Sequence, residues 1–253
     1  VNTITVERVE RVAVMTLCDP QRRNALNLAM CAEMVSAIDE LEADEGVGAL
    51  VVTGAAPAFC AGADLSQLGA SQRDGLKQIY SGFLRVASTT LPTIAAVNGA
   101  AVGAGMNLAL ACDVRLASDN ARFDTRFLDL GIHPGGGHTW MMRNIVGPQS
   151  AAAMVLFGQV LDAAEAKRVG LVWDTTSPEE LLSTAITMAQ RAASGPRELV
   201  TKIKASLAKM GAVDLHEEAV EIELDPQVWS INQPAFAERL ASLQQTITSK
   251  PTP

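Results

Sequence analysis

The chain has 253 residues, 48% of them apolar, which is enough to bury a sizeable core as one large domain, with or without a small appendage, and excludes a disordered chain. Its formal charge of -8 and the lack of any Lys/Arg run exclude a nucleic-acid partner held through many phosphates, yet a single anionic ligand on a few local groups stays open. No apolar run reaches the ~18 residues of a membrane helix, and Glu7, Arg8, Glu10 and Arg11 rule out a leader h-region at the start, so a cytoplasmic protein that spans no membrane is expected.

Residues 3–9 and 11–17 alternate and are rich in β-branched side chains, which predicts a short antiparallel pair broken at Glu10/Arg11. Asn27 is placed to cap a helix whose apolar positions Leu28, Cys31, Val35 and Ile38 keep helical spacing, with Gly46 and Gly48 beyond its end. A buried strand over 49–53 follows, then a helix over 71–86, a strand over 93–98, a helix over 104–111 and a strand over 113–118. Alternation of this kind predicts right-handed crossovers and a mainly parallel sheet. After Gly147 the pattern turns almost wholly helical, with segments near 148–157, 162–169, 178–193, 197–210, 214–229 and 234–247; only 250–253 reads as tail. The four cysteines, Cys18, Cys31, Cys60 and Cys112, have no metal-ligand spacing and sit beside apolar residues, as reduced core thiols do.

Two junctions before predicted helices are rich in small residues, 54–65 (Gly-Ala-Ala-Pro-Ala-Phe-Cys-Ala-Gly-Ala-Asp-Leu) and 96–108 (Ala-Val-Asn-Gly-Ala-Ala-Val-Gly-Ala-Gly-Met-Asn-Leu). Small residues let a ligand approach the backbone, and the free N–H groups of a helix start attract developing negative charge. Tight packing explains the same composition, so each stretch alone leaves both readings open. Gly103-Ala104-Gly105 is no dinucleotide fingerprint, because the third glycine and the later acidic residue are missing.

Taken together, Arg23-Asn24-Ala25-Leu26, residues 59–65, residues 96–105, Cys112-Asp113, Leu130-Gly131 followed by Pro134-Gly135-Gly136-Gly137, and Ala163-Ala164-Glu165-Ala166 followed by Gly170-Leu171-Val172 resemble the crotonase, or enoyl-CoA hydratase/isomerase, superfamily. The motifs run in family order over most of the chain. The resemblance implies an α/β fold, a crotonase-like ββα core with mainly parallel sheets over 1–195, and an α-helical trimerisation region over 196–253. It implies a homotrimer or a dimer of trimers, an acyl-CoA thioester as ligand, no metal, and no cofactor beyond the coenzyme A of the substrate. The thioester oxygen would lie between the backbone N–H groups of Ala63 and Ala104, an arrangement in which one donor is typically worth ~3 to 4 kcal/mol. Arg23, Ala25, Leu26, Ala61, Gly62, Ala63, Asp64, Leu65 and Gly103 would border the coenzyme. Arg22, Arg23, Lys202 or Lys204 would meet its phosphates, unless they are ordinary solvated charges.

The departures from the family pattern bear on chemistry. Family hydratases use two glutamates, and the matching positions here carry Asn107 and Phe127, neither of which exchanges a proton near neutral pH. Two-glutamate hydration is therefore disfavoured. Nearby groups able to move a proton are Asp124, Asp129, His133 and His138; His133 precedes a proline in extended backbone, and His138 falls in the first turn of the next helix. His133 and Asp129 are the preferred acid/base candidates, against a reading in which the histidines only pack or cap the loop. Leu68, Leu76, Ile79, Tyr80 and Phe83, with Met106 nearby, suggest an apolar acyl pocket, while Trp140, Trp173 and Trp229 read as core or subunit interface. A Lys-Arg-x-Pro-x-Phe ending typical of the family is absent from 234–239, which keeps only Ala235-Phe236 and Arg239. Three readings follow: an enzyme acting on acyl-CoA through an enolate or oxyanion with non-standard acid/base groups, a catalytically silent acyl-CoA binder, and a scaffold that has lost its ligand.

Overall fold

A computed structural model describes residues 2–70 and 72–248. It divides into two units, one ending at Ser194 and one starting at Gly195. The first unit opens with β1 (Ile4–Val9) and β2 (Val12–Leu17), paired antiparallel with Val9 opposite Val12. Next come α1 (Leu28–Ala43) and β3 (Ala49–Gly54), every residue of which is buried. Asn27 caps α1 as its side chain accepts the Met30 N–H at 2.9 Å. β4 (Ala58–Cys60), α2 (Leu65–Ala70) and α3 (Arg73–Ser88) lead to β5 (Thr93–Val97), β6 (Ala100–Val102), α4 (Ala104–Ala111), β7 (Val114–Ser118) and β8 (Arg122–Asp124). The unit closes with α5 (His138–Phe157), β9 (Leu161–Asp162), α6 (Ala163–Arg168), β10 (Asp174–Thr176) and α7 (Leu181–Ala193).

Six strands form one sheet in the order β1-β2-β3-β5-β7-β10, parallel except for the opening pair. Side chains alternate across it. Val12, Val14, Ala49, Val51, Ile94 and Ala96 face α7, which answers with Leu181, Ala185, Ala189 and Ala193, one residue per helical turn. Ala13, Met15, Leu50, Val52, Ala95 and Val97 point the other way, into a larger core shared with Met30, Met34 and Ile38 of α1 and Phe83 and Val86 of α3. With both faces covered, these strands read in sequence as continuous apolar runs. Arg11 ties the assembly together by donating from Nε to the Ala193 carbonyl at the C-terminal end of α7, 2.9 Å away.

A second sheet, in the order β4-β6-β8-β9, corrects the sequence reading. The two small-residue junctions are not simple turns; each contains a three-residue strand, β4 and β6, which pair in parallel with Ala58 opposite Ala100. The region after Gly147 is also less helical than expected, because β9 joins the small sheet and β10 the edge of the large one. Its first helix begins already at His138 and kinks at Gly147, whose φ is +77°. The helix expected over 71–86 is α3, with the shorter α2 ahead of it; Ser71 lies outside the described residues.

Two glycines set the position of α4. Gly103 precedes its first residue with φ +50°, a conformation side chains resist. At Gly105 a Cβ would stand 2.2 Å from the Cys60 carbonyl oxygen, so only glycine lets the helix lie this close to β4.

The second unit contains α8 (Arg197–Met210), α9 (His216–Ile231) and α10 (Pro234–Thr248). Within it the Lys202 ammonium lies 4.5 Å from the ring centre of Trp229 and 3.6 Å from Glu198. The expected tail at 250–253 lies outside the described residues.

Candidate active site

The first unit holds a cavity of about 440 Å³ beside the small sheet. Ala61, Gly62 and Ala63, just past β4, and Val102, Gly103 and Ala104, at the β6–α4 junction, contribute backbone to its wall. Parallel pairing of β4 with β6 is what brings these two stretches side by side.

The main chain there has donors to spare. Leu26 and Ala63 form an isolated parallel bridge whose hydrogen bonds run from Leu26 N to Gly62 O (2.7 Å) and from Asp64 N to Leu26 O (2.8 Å). In a parallel bridge the central residue turns its own N–H away from the partner, so Ala63 N–H is not used by Leu26. Ala104 is the first residue of α4, whose opening N–H groups have no intrahelical acceptor, and Gly103 offers no side chain to cap them. The same bridge sets the predicted coenzyme-binding residues next to each other: Ala61 N donates to Arg23 O at 3.0 Å, and Arg23, Ala25 and Leu26 therefore run beside Ala61, Gly62, Ala63, Asp64 and Leu65. Asn24, fully buried, locks the arrangement by donating from Nδ2 to the carbonyls of Ala55 (2.7 Å) and Ala58 (2.8 Å) while Oδ1 accepts from Asp19 N. Asp64 accepts from Ser66, which holds its carboxyl below the usual range. Arg22 is engaged with Asp19 at 3.3 Å.

Asn107 and Phe127 both line the cavity. Asn107 is buried one turn into α4 and donates from Nδ2 to the Gly135 carbonyl at 3.0 Å. Its Oδ1 lies 2.6 Å from His138 Nδ1. Because Gly135 O accepts only, the amide nitrogen must face it, which makes Oδ1 an acceptor and puts the proton of His138 on Nδ1. His138 is 1% exposed, its Nε2 has no hydrogen-bond partner, and the Phe127 ring meets it edge-on at 4.9 Å. Burial pushes its pKa down to about 4, so the ring is neutral.

Of the proposed proton-moving groups, the structure brings His133 to the cavity. It is exposed, with Nδ1 2.7 Å from the Pro134 carbonyl, so Nδ1 carries the proton and Nε2 is left as an acceptor. Asp129 does not line the cavity. Its side chain is 70% exposed and lies 3.8 Å from Arg126. Asp124 is buried but bound to the same guanidinium, and His138 stands behind Asn107. Leu68, Leu76, Ile79 and Tyr80 form the apolar wall as expected, whereas Phe83 and Met106 are sealed in the core. Cys60 is no nucleophile, since burial pushes its thiol up to about 12. Sequence reasoning missed Arg126 as a cavity residue. Its φ of +55°, which turns the chain at this wall, has no signature in its side chain. Among the described residues no group of three His, Cys, Asp or Glu is arranged to hold a metal ion.

Comparison with known proteins gives this geometry a lineage. The family model described as enoyl-CoA hydratase/isomerase matches residues 7–243. A probable enoyl-CoA hydratase of Mycobacterium tuberculosis, EchA14, is 50% identical over 244 residues, covering 93% of this chain and 94% of that protein. The 2,3-dehydroadipyl-CoA hydratase of Escherichia coli is 39% identical over 195 residues, 75% of each chain. Among solved structures, an enoyl-CoA hydratase subunit I from Geobacillus kaustophilus superposes with a TM-score of 0.90 at 30% identity, covering 99% of this chain and 97% of its own. The fold is thus the crotonase fold, and the chain belongs to the enoyl-CoA hydratase/isomerase family.

Proposed function

We propose that the cavity binds an acyl-coenzyme A thioester and stabilises an enolate or oxyanion at its carbonyl between the N–H groups of Ala63 and Ala104. The observation that carries this reading is the pairing of two small-residue stretches, each with a main-chain donor for which the described residues show no acceptor, on one wall of a mainly apolar cavity. The segment from Arg23 to Leu26, bridged to Ala63 at its last residue, is then the border for the coenzyme. Family membership and relatives whose names specify CoA thioesters support the same ligand.

The acid/base groups differ from the two-glutamate pattern in this reading. Asn107 and Phe127 stand where the family resemblance calls for glutamates, and His133, which lines the cavity and engages the Pro134 carbonyl through Nδ1 alone, is the remaining candidate for general base. A second reading, a silent acyl-CoA binder, is favoured by the same two residues, since neither relays a proton and His138 is held neutral behind them. The exposed side chains of Trp140, Trp173, Leu207 and Leu215 support a homotrimer or dimer of trimers, and a cytoplasmic setting belongs to the same proposal; among the described residues no helix is long and apolar enough to cross a membrane.

Calorimetric titration with crotonyl-CoA and with a long-chain enoyl-CoA, followed by mass analysis of the incubated thioester, tests these readings. Binding with turnover supports the enzyme, and His133→Gln should then slow it ~100-fold or more. Binding without turnover supports the silent binder. Absence of binding by either thioester overturns both.

A further inference from the structure

We propose that Asn107, held in place by His138, donates a hydrogen bond to an oxygen on the β-carbon of the acyl chain, so that the cavity prefers 3-oxo- and 3-hydroxyacyl thioesters over unsubstituted ones. This specificity rests on the reading of the cavity as an acyl thioester site.

The argument begins with the hydrogen-bonding capacity of one buried amide. Asn107 has two Nδ2 protons and an acceptor oxygen. Oδ1 is occupied by His138 Nδ1–H at 2.6 Å and one Nδ2 proton by the Gly135 carbonyl at 3.0 Å. One donor is left over on a side chain that lines the cavity. The opposite amide orientation is excluded, because it would set Oδ1 against the Gly135 carbonyl. A buried donor without a partner is costly, which makes a ligand oxygen its natural complement.

Position along α4 says which ligand oxygen. Ala104 opens the helix and Asn107 follows three residues later, on the same face and ~4.5 Å further along the axis. With a thioester oxygen on the Ala104 N–H, a substituent on the β-carbon lies two carbons on, a comparable span. On one side of Asn107 the cavity is closed by the apolar ring of Phe127.

His138 is a positioning residue in this scheme. Its Nδ1–H fixes the amide plane from behind, while its Nε2 makes no hydrogen bond, so nothing else in the fold competes for the ring's orientation. A neutral donor suits a neutral carbonyl or hydroxyl; a glutamate at the same place would instead present an acceptor.

The test is calorimetric titration of the full chain with butanoyl-, 3-hydroxybutanoyl- and 3-oxobutanoyl-CoA, with mass analysis of the recovered thioesters to correct for turnover. The two oxygenated thioesters are expected to bind about tenfold tighter than butanoyl-CoA, the increment of one neutral hydrogen bond. Asn107→Leu should bring that ratio to about one, and Asn107→Asp, which sets an acceptor against the ligand oxygen, should invert it for the 3-oxo thioester, whose carbonyl only accepts, and not for the 3-hydroxy thioester, whose hydroxyl can donate. His138→Phe should lower the ratio although Asn107 remains, a change that a purely structural role would not produce. Where that variant does not fold, Asn107→Asp, with His138 in place, still decides. Equal binding of all three thioesters by the unaltered chain, or a ratio unmoved in Asn107→Leu, overturns the inference and leaves the thioester reading intact. Failure of all three thioesters to bind overturns the thioester reading.

Discussion

The cavity has two halves built on different principles. One is main chain: Gly62-Ala63 and Gly103-Ala104, placed by the pairing of β4 with β6 and offering N–H groups whose existence does not depend on which small side chain each residue carries. The other is side chain: Asn107, Phe127 and His133, with His138 behind, where one substitution changes what can be donated or accepted. In the proposed reading the main-chain half would hold the thioester oxygen and the side-chain half would set the proton chemistry, so the two could change independently.

The largest expected break in that contrast is Ala104→Pro. Proline is accommodated at the first position of a helix but has no N–H, so the fold should persist in circular dichroism while turnover of a thioester substrate falls ~100- to 1000-fold, the usual loss for one oxyanion donor. On the side-chain half, His138 links stability to pH. Its folded pKa of about 4 lies below the unfolded value of 6.5, so the unfolded state takes up a proton first as the pH falls. Stability from the neutral ring is complete above pH 6.5 and is lost between pH 6.5 and 4, by ~3 kcal/mol. Urea unfolding across this range should show the slope in the native chain and a correspondingly flatter profile in His138→Leu.

Gly105→Ala tests how closely the main-chain half is packed. Its Cβ would meet the Cys60 carbonyl at 2.2 Å, and the resulting shift should cost ~2 kcal/mol in a denaturant titration, after the better helix propensity of alanine is subtracted. Asp129→Asn is the smallest change and sharpens the comparison from outside. An exposed carboxylate 3.8 Å from Arg126 should matter by less than ~0.5 kcal/mol in stability, and thioester turnover should stay as it was.

Much of this was legible in the sequence where signals were local. The helices at 104–111 and 197–210 were placed at their observed ends, because Gly103 and Pro196 mark their starts and the apolar spacing carries through. The small sheet was not legible. β4 and β6 are three residues each, made of Ala, Val, Phe and Cys, too short for alternation to register and lacking the long β-branched runs of the large sheet. At the site, Ala63, Ala104, Asn107, Phe127 and His133 line one cavity, but the pairing of Asn107 with His138 spans 31 residues and leaves no trace in local pattern. Asp129 lies outside that cavity lining, its exposed carboxyl 3.8 Å from Arg126.

The Arg11–Ala193 hydrogen bond bears on how the chain is born. The sheet face formed by Val12, Val14, Ala49 and Val51 has its cover in α7, a helix that begins only at Leu181. At ordinary synthesis rates that face waits roughly ten seconds between the emergence of its strands and the arrival of its lid. A ribosome-bound chain stopped before Leu181 should therefore be cut by protease within the strands, and one extended past Ala193 should resist. The residue that closes the sheet and its acceptor are made 182 residues apart.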